Sequence, residues 1–174
     1  MKTKAPALVF AYGSNLFPGQ MFERCPSARF VERATIVGTR LVFAGFSARW
    51  RGAVAGLEVA KGQRTHGVIY SMSDADLSQL DRVEGHPSYY LRVGTHVRTG
   101  RGYTRCFTYA LIRTNEFTTP PSEEYATRVR DGYRAWNLPI AALDGAIRRA
   151  ERAQRERSDL WLPLFLGGAP ERRK

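Results

Sequence analysis

Two stretches of this 174-residue sequence carry residue types suited to catalysis, and they lie far apart. One is Phe10-Ala11-Tyr12-Gly13-Ser14-Asn15-Leu16; the other is Glu84-Gly85-His86-Pro87, followed by Tyr89 and Tyr90. Glu84 stands at a Gly-Pro break behind a predicted helix, with His86, Tyr89 and Tyr90 as hydrogen-bonding neighbours. A carboxylate partly desolvated by aromatic rings has a raised pKa, and can take a proton and give it back. Read alone, Glu84 is also an exposed acid near a helix end, the commoner fate of a glutamate. Asp81, three residues earlier, is the competing acid, whereas Asp74 and Asp76 suit helix capping. Tyr109 in an apolar strand and Tyr125 just after Ser122 are pocket candidates, although buried tyrosines usually serve as core with one satisfied hydroxyl. Ser14 is not in a Gly-x-Ser-x-Gly elbow, and Cys25 has only Pro26 beside it, so neither makes a convincing nucleophile.

The elements that must hold these groups come next. Ala7-Leu8-Val9-Phe10-Ala11 reads as a buried strand that breaks at Gly13-Ser14-Asn15, with a helix from about Pro18. A strand ending in small polar residues ahead of a helix presents backbone N–H groups to an anion or a carbonyl oxygen. Gly13 lets a ligand come close to the backbone. Taken by itself, Gly-Ser-Asn is also an ordinary turn. Ser73 is an N-cap, Leu77 and Leu80 face the core, and Gly85 stops the helix that began at Asp74.

The rest of the chain reads as strands followed by helices. Phe30-Val31 and Ala34 to Phe43 are extended, and Gly45 to Gly52 is a loop carrying Ser47, Arg49, Trp50 and Arg51. Ala53 to Val59 and Thr65 to Ser71 form a hairpin candidate about the turn Lys61-Gly62-Gln63-Arg64. Tyr90 to Arg98 and Tyr103 to Ile112 form a second, about Thr99-Gly100-Arg101-Gly102. Ser122 caps a helix on which Tyr125, Val129, Tyr133 and Trp136 recur at helical spacing. Asn137-Leu138-Pro139 breaks it, and the last helix runs from Ile140 to about Arg157, with Leu160 to Phe165 as a short apolar packing segment. The total is six or seven strands and three or four helices. Hairpin links make antiparallel pairing dominant, so the fold class is α+β: a small, mostly antiparallel barrel or curved sheet flanked by helices. Residues 1–166 read as one domain and 167–174 as a disordered basic tail.

Composition narrows the function classes. No run approaches the roughly 18 apolar residues of a membrane span. The apolar stretch behind the basic N-terminus is too short for a signal peptide, so a cytoplasmic protein is expected. Cys25 and Cys106 stand apart, and His66, His86 and His96 lack zinc-ligand spacing, which argues against a disulfide framework and a metal site. The net charge of +11 comes almost wholly from arginines scattered along the chain. In the densest run, Arg148 to Arg157, Glu151 and Glu156 are interleaved, as on a solvated helix face. Nucleic acid is therefore not the expected partner. The Gly13 loop has neither dinucleotide nor P-loop glycine spacing.

Several of these segments occur together in one known order. Tyr12-Gly13-Ser14-Asn15-Leu16, Leu80-Asp81-x-x-Glu84-Gly85, Pro120-Pro121-Ser122-x-x-Tyr125, Gly132 and Leu138-Pro139 resemble the gamma-glutamylcyclotransferase family. Cys25-Pro26-Ser27-Ala28 and His66-Gly67-Val68-Ile69-Tyr70 are similar to family segments too. The resemblance runs from about Phe10 to Pro139 and implies a small mixed α/β barrel. It also implies a cofactor-free reaction: the free α-amine of a γ-glutamyl group attacks its own γ-carbonyl, giving 5-oxoproline and releasing an amine or amino acid. Glu84 is implied as the general acid/base. Tyr12, Gly13, Ser14, Asn15 and Leu16 are implied as the loop binding the glutamyl group, with Tyr90, Tyr109 and Tyr125 as pocket tyrosines. Whether the loop's N–H groups serve the α-carboxylate or the oxyanion stays open. The expected partner is a small γ-glutamyl molecule, with no membrane, and the expected state is a monomer or homodimer. The positive charge leans toward an anionic substrate over a polycationic one. Two other readings are a catalytically silent γ-glutamyl-binding module and a basic nucleic-acid-binding protein. Tyr133-Arg134-Ala135-Trp136-Asn137 departs from the usual small-residue stretch before Leu138-Pro139, as does the Arg-rich C-terminal segment.

Overall fold

Apolar alternation along five strands makes one continuous sheet that curls until its edges meet. In this computed structural model the backbone is described for residues 5–112 and 119–165, and the side chains for 5–112 and 119–159. The strands are β1 (Ala7–Ala11), β2 (Arg29–Ser47), β3 (Gly52–Met72), β4 (Tyr90–Thr99) and β5 (Gly102–Leu111). They form a closed barrel in the order β1-β3-β2-β4-β5. Closure comes from a short parallel pairing, Val9 with Phe107 and Phe10 with Thr108, while the other pairings are antiparallel. The helices are α1 (Pro18–Arg24), α2 (Asp74–Glu84), α3 (Glu123–Ala135) and α4 (Ile140–Phe165). The mixed, mostly antiparallel barrel is the fold class expected from the hairpin pattern.

The strand count differs. The expected hairpin of Ala53–Val59 with Thr65–Ser71 does not form, because both segments belong to the single strand β3 and pair with β2. β2 and β3 are 19 and 21 residues long. At about 3.3 Å per residue such strands outrun a small domain unless they bend. They bend where the register shifts between Val37 and Thr39, opposite the residues between Val59 and Arg64. Gly38 and Gly62 take φ of 78° on the two sides of this irregularity, a conformation open mainly to glycine. The turn signal at Gly62 was thus a bulge. The loop expected over Gly45–Gly52 shrinks to the link between Ser47 and Gly52. α4 continues past Arg157 to Phe165, so Leu160 to Phe165 extends the helix; its side chains, and the expected tail at 167–174, lie outside the described residues.

The core fills the barrel and the layer beneath the helices. Val9, Phe10, Ala11 and Tyr12 are all buried, so β1 is covered on both faces. Ser73 accepts a hydrogen bond from the Asp76 N–H and Ser122 from the Tyr125 N–H, the two N-caps expected for α2 and α3. Leu77 and Leu80 pack inward from α2. No helix among the described residues is long and apolar enough to cross a membrane.

Candidate active site

Glu84 is the last residue of α2, and its position is fixed by how that helix ends. Gly85 adopts a left-handed conformation, φ 66°, and its N–H bonds to the Arg82 carbonyl while that of His86 reaches Asp81. This paired termination stops the helix within one residue. The Glu84 side chain is 13% exposed. Its Oε1 accepts from Asn15 Nδ2 at 2.9 Å and from Arg24 Nη1 at 3.3 Å. Its Oε2 takes no hydrogen bond from the described residues and is not sealed from solvent.

Asn15 arrives on a single 3-10 turn, Ser14–Leu16, that follows β1. A Cβ at Gly13 would lie 3.0 Å from the Ala55 Cβ and 3.2 Å from the Tyr125 hydroxyl, so any side chain here would press on β3 and on a cavity tyrosine. The loop is braced from α1. Gln20 Nε2 donates to Ser14 Oγ at 2.9 Å and to Asn15 Oδ1 at 3.3 Å, and Arg24 Nη1 donates to Asn15 Oδ1 at 2.6 Å. With its Oδ1 taken by these donors, the Asn15 amide turns its NH2 toward Glu84. Gln20 and Arg24 were not singled out from sequence. The available signal was their spacing of four on a helix that starts beside the loop, which puts them on one face.

The tyrosines close the cavity. Tyr12 donates to the Tyr109 carbonyl at 2.6 Å, and Tyr90 to the Ala55 carbonyl at 2.6 Å. The Ala55 N–H donates to the Tyr125 hydroxyl oxygen at 3.1 Å, so one residue of β3 holds two pocket rings. Tyr109 donates to Asp81 Oδ1 at 2.7 Å, and Asp81 Oδ2 takes Arg92 Nη1 at 2.6 Å.

Tyr12, Gly13, Ser14, Asn15, Glu84, Tyr90, Tyr109 and Tyr125 all line one cavity, although they come from five parts of the chain. Leu16 does not. Its side chain is fully buried behind the loop, and its carbonyl accepts from Tyr70 at 3.3 Å and from Trp136 Nε1 at 2.7 Å. Trp136 stacks on Phe30, and Tyr133 lies in the core, so the two unusual bulky residues back the loop and leave the cavity wall to others. A Cβ at Gly132 would collide with Leu16, which explains the glycine there.

A second, larger lobe of about 170 Å3 shares Ser14, Glu84, Tyr90 and Tyr125 with the first, which holds about 40 Å3. Its outer wall carries Arg24, Ser47, Arg49 and Trp50. Arg49 lies over the Trp50 ring at 5.5 Å and makes no ion pair among the described residues.

Burial pushes the Glu84 carboxyl above its usual range, against the Asn15 hydrogen bond and the charges of Arg24 and Arg49. Burial also pushes the Tyr12 and Tyr90 hydroxyls well up, and Tyr125 to about 12, so these rings stay protonated at neutral pH. Cys25 is buried and pushed to about 11, which leaves it a thiol and a poor nucleophile. Among the described residues no cluster of His, Cys, Asp and Glu could hold a metal ion.

The family model described as "Gamma-glutamyl cyclotransferase, AIG2-like" matches residues 9–132. The chain belongs to this family. The matched segment contains both the Tyr12–Leu16 loop and Glu84. The gamma-glutamylcyclotransferase of Mus musculus is 33% identical over 139 residues, covering 76% of this chain and 72% of its own length. That of Bos taurus has the same identity over 139 residues, covering 76% and 73%. A solved structure titled gamma-glutamyl cyclotransferase superposes with a TM-score of 0.74 at 30% identity, covering 80% of this chain and 85% of that one. The protein is an enzyme of the gamma-glutamylcyclotransferase kind.

Proposed function

We propose that the enzyme converts a γ-glutamyl amino acid or γ-glutamyl-amine into 5-oxoproline and the free amine, with Glu84 as general acid/base. The observation that carries this reading is the asymmetry of Glu84: Oε1 is held by Asn15 and Arg24, while Oε2 is left for a ligand. A substrate α-ammonium gives a proton to Oε2, and its nitrogen then attacks the γ-carbonyl carbon. The new C–N bond closes the five-membered ring, and the carbonyl electrons move onto oxygen. The oxyanion re-forms the carbonyl, the old amide C–N bond breaks, and Glu84 gives its proton to the leaving nitrogen. Glu84 then takes the second proton of the ring nitrogen and passes it to the same amine, which leaves as an ammonium and restores the carboxylate. Atoms balance without water or a cofactor.

Donors must meet the oxyanion and the substrate α-carboxylate. The Gly13 and Asn15 N–H groups make no hydrogen bond among the described residues and stand at the cavity, available for either role. The packed rings of Tyr12, Tyr90 and Tyr125 confine the chain so that amine and carbonyl meet, and an oriented intramolecular attack needs little else. The leaving group extends into the larger lobe, where the unpaired Arg49 favours one that bears a carboxylate.

Incubation with a panel of γ-glutamyl amino acids and γ-glutamyl-amines tests the reading, with 5-oxoproline as the readout. Turnover is expected, and turnover across the panel no better than that of Glu84→Gln would sink it. A thermal shift with these ligands but no turnover would instead favour a silent binding module.

A further inference from the structure

On the outside of the barrel, a cleft of about 410 Å3 shares no residue with the catalytic cavity and is lined by Arg33, Thr35, Arg64, His66 and Arg98. The sheet builds it. Thr35 of β2 is paired with His66 of β3 on one side and with Arg98 of β4 on the other. Strand alternation then places Arg33 on the face of Thr35 and Arg64 on the face of His66. Ala34, Thr65, Gly67 and Val97, the residues between, are buried, so the cations are held on the outer surface. Asn137-Leu138-Pro139 and the Thr99-Gly100 turn form the rims.

Like charges on neighbouring strands repel. Here nothing among the described residues offsets them: Arg33, Arg64 and Arg98 make no ion pair with a carboxylate. Glu32, the acid next to Arg33, faces Arg101 at 4.0 Å instead. His66, half-buried at the cleft floor, is held below its usual pKa by burial and by the Arg64 charge. Three arginines, a histidine and a threonine thus line one cleft with no carboxylate paired to the arginines among the described residues.

We propose that this cleft binds a small, multiply charged phosphate-class anion, with Arg33, Arg64 and Arg98 on its oxygens. Planar guanidinium forks match phosphate geometry, and several acting together outweigh the desolvation of each. The rims bound the cleft to a small ligand. A polynucleotide would need the positive strip to continue, and the nearby arginine-rich face of α4 is interrupted by Glu151 and Glu156.

The test is titration with inorganic phosphate and pyrophosphate at constant ionic strength, read by thermal unfolding and by NMR of the His66 ring. The expected result is a saturable rise in Tm and an upward move of the His66 pKa, since a bound anion favours the imidazolium. R33A/R98A should bind pyrophosphate at least about tenfold more weakly, because two charge-assisted contacts to its oxygens are lost. R152A/R155A, which removes the same charge from α4, should bind as the wild type does. The proposal is overturned by no saturable effect with either anion, by equal weakening in both double variants, or by an unmoved His66. Tighter binding of a single-stranded oligonucleotide than of pyrophosphate would overturn it in favour of a nucleic-acid surface.

Discussion

Asp81 and Glu84 are carboxylates three residues apart on one helix, and the structure treats them in opposite ways. Both oxygens of Asp81 are engaged, one by Tyr109 at 2.7 Å and the other by Arg92 at 2.6 Å. Among the described residues only one oxygen of Glu84 is engaged, and burial raises its pKa despite Arg24 and Arg49. A carboxylate with both oxygens engaged is a brace. A desolvated one with a free oxygen can exchange protons. Tyr109 connects the two, since its carbonyl anchors Tyr12 in the cavity while its hydroxyl is tied to Asp81. On this reading the brace aligns the wall, and Glu84 acts inside it.

The sharpest way to break this contrast is to neutralise Glu84. Glu84→Gln keeps an acceptor for Asn15 and Arg24 but removes the proton-transfer group. Turnover should fall by about 10²–10⁴, the usual range for general acid–base catalysis, while calorimetry still reports ligand binding. Loss of less than tenfold would place the acid/base role elsewhere. Arg24→Met comes next. It frees the Asn15 amide to rotate and removes one of the charges that lower the Glu84 pKa. A drop of about 10–100-fold at neutral pH is expected, by analogy with the loss of ligand-orienting partners elsewhere. The acid limb of kcat/KM should also move to higher pH. A limb that stays put would show that Arg24 does not set the Glu84 proton affinity.

Smaller effects test the two boundaries of the site. Assayed on the pH plateau, because the Arg49 charge also lowers the Glu84 pKa, Arg49→Ala should lower kcat/KM for a γ-glutamyl amino acid by about tenfold, the value of roughly one exposed charge-assisted contact, and leave a γ-glutamyl-amine unaffected. Equal losses with both substrates would remove Arg49 from leaving-group recognition. Asp81→Asn keeps the acceptor for Tyr109 and gives up the Arg92 ion pair. Stability should drop by about 1–2 kcal/mol in chemical denaturation, with turnover within about threefold of wild type. A loss of turnover comparable to that of Glu84→Gln would erase the distinction between the two acids.

What the sequence disclosed, and what it hid, follows from the range of each signal. Caps and stops are local, so Ser73, Ser122 and Gly85 were legible and α2 and α3 fell where expected. The second hairpin, Tyr90 to Ile112, was also set by its own turn and was found as read. Gly62 misled because a positive φ serves a turn and a bulge alike, and only the partner strand tells them apart. The gathering of the Tyr12 loop and Glu84 came from a matching order of motifs; no local signal links residues 69 apart, as Asn15 and Glu84 are. Gln20, Arg24, Ala55 and Arg49 were missed as site residues because each acts through a tertiary contact, and Ala55 through its backbone alone. Leu16 travels with the loop in sequence, yet it faces away from the cavity.

The smallest effect expected is thermodynamic. Because the folded pKa of Glu84 is raised, the folded chain binds its proton more tightly than the unfolded chain does. The sign follows from linkage: the stabilisation tied to the proton is complete below the unfolded value of about 4.3. It is lost as pH rises through the higher folded value, beyond which ionised Glu84 weighs against folding. Glu84→Gln does not titrate at this position. The Tm of the variant minus that of the wild type should therefore grow from about pH 4 upward and level off where Glu84 is ionised in the folded state. The pH at which that rise levels off should coincide with the acid limb of kcat/KM, because both report the Glu84 proton on the free folded enzyme. A difference that is flat or falls with pH would mean that Glu84 is no better protonated in the fold than in the unfolded chain, and the contrast with a fully committed carboxylate would lose its basis.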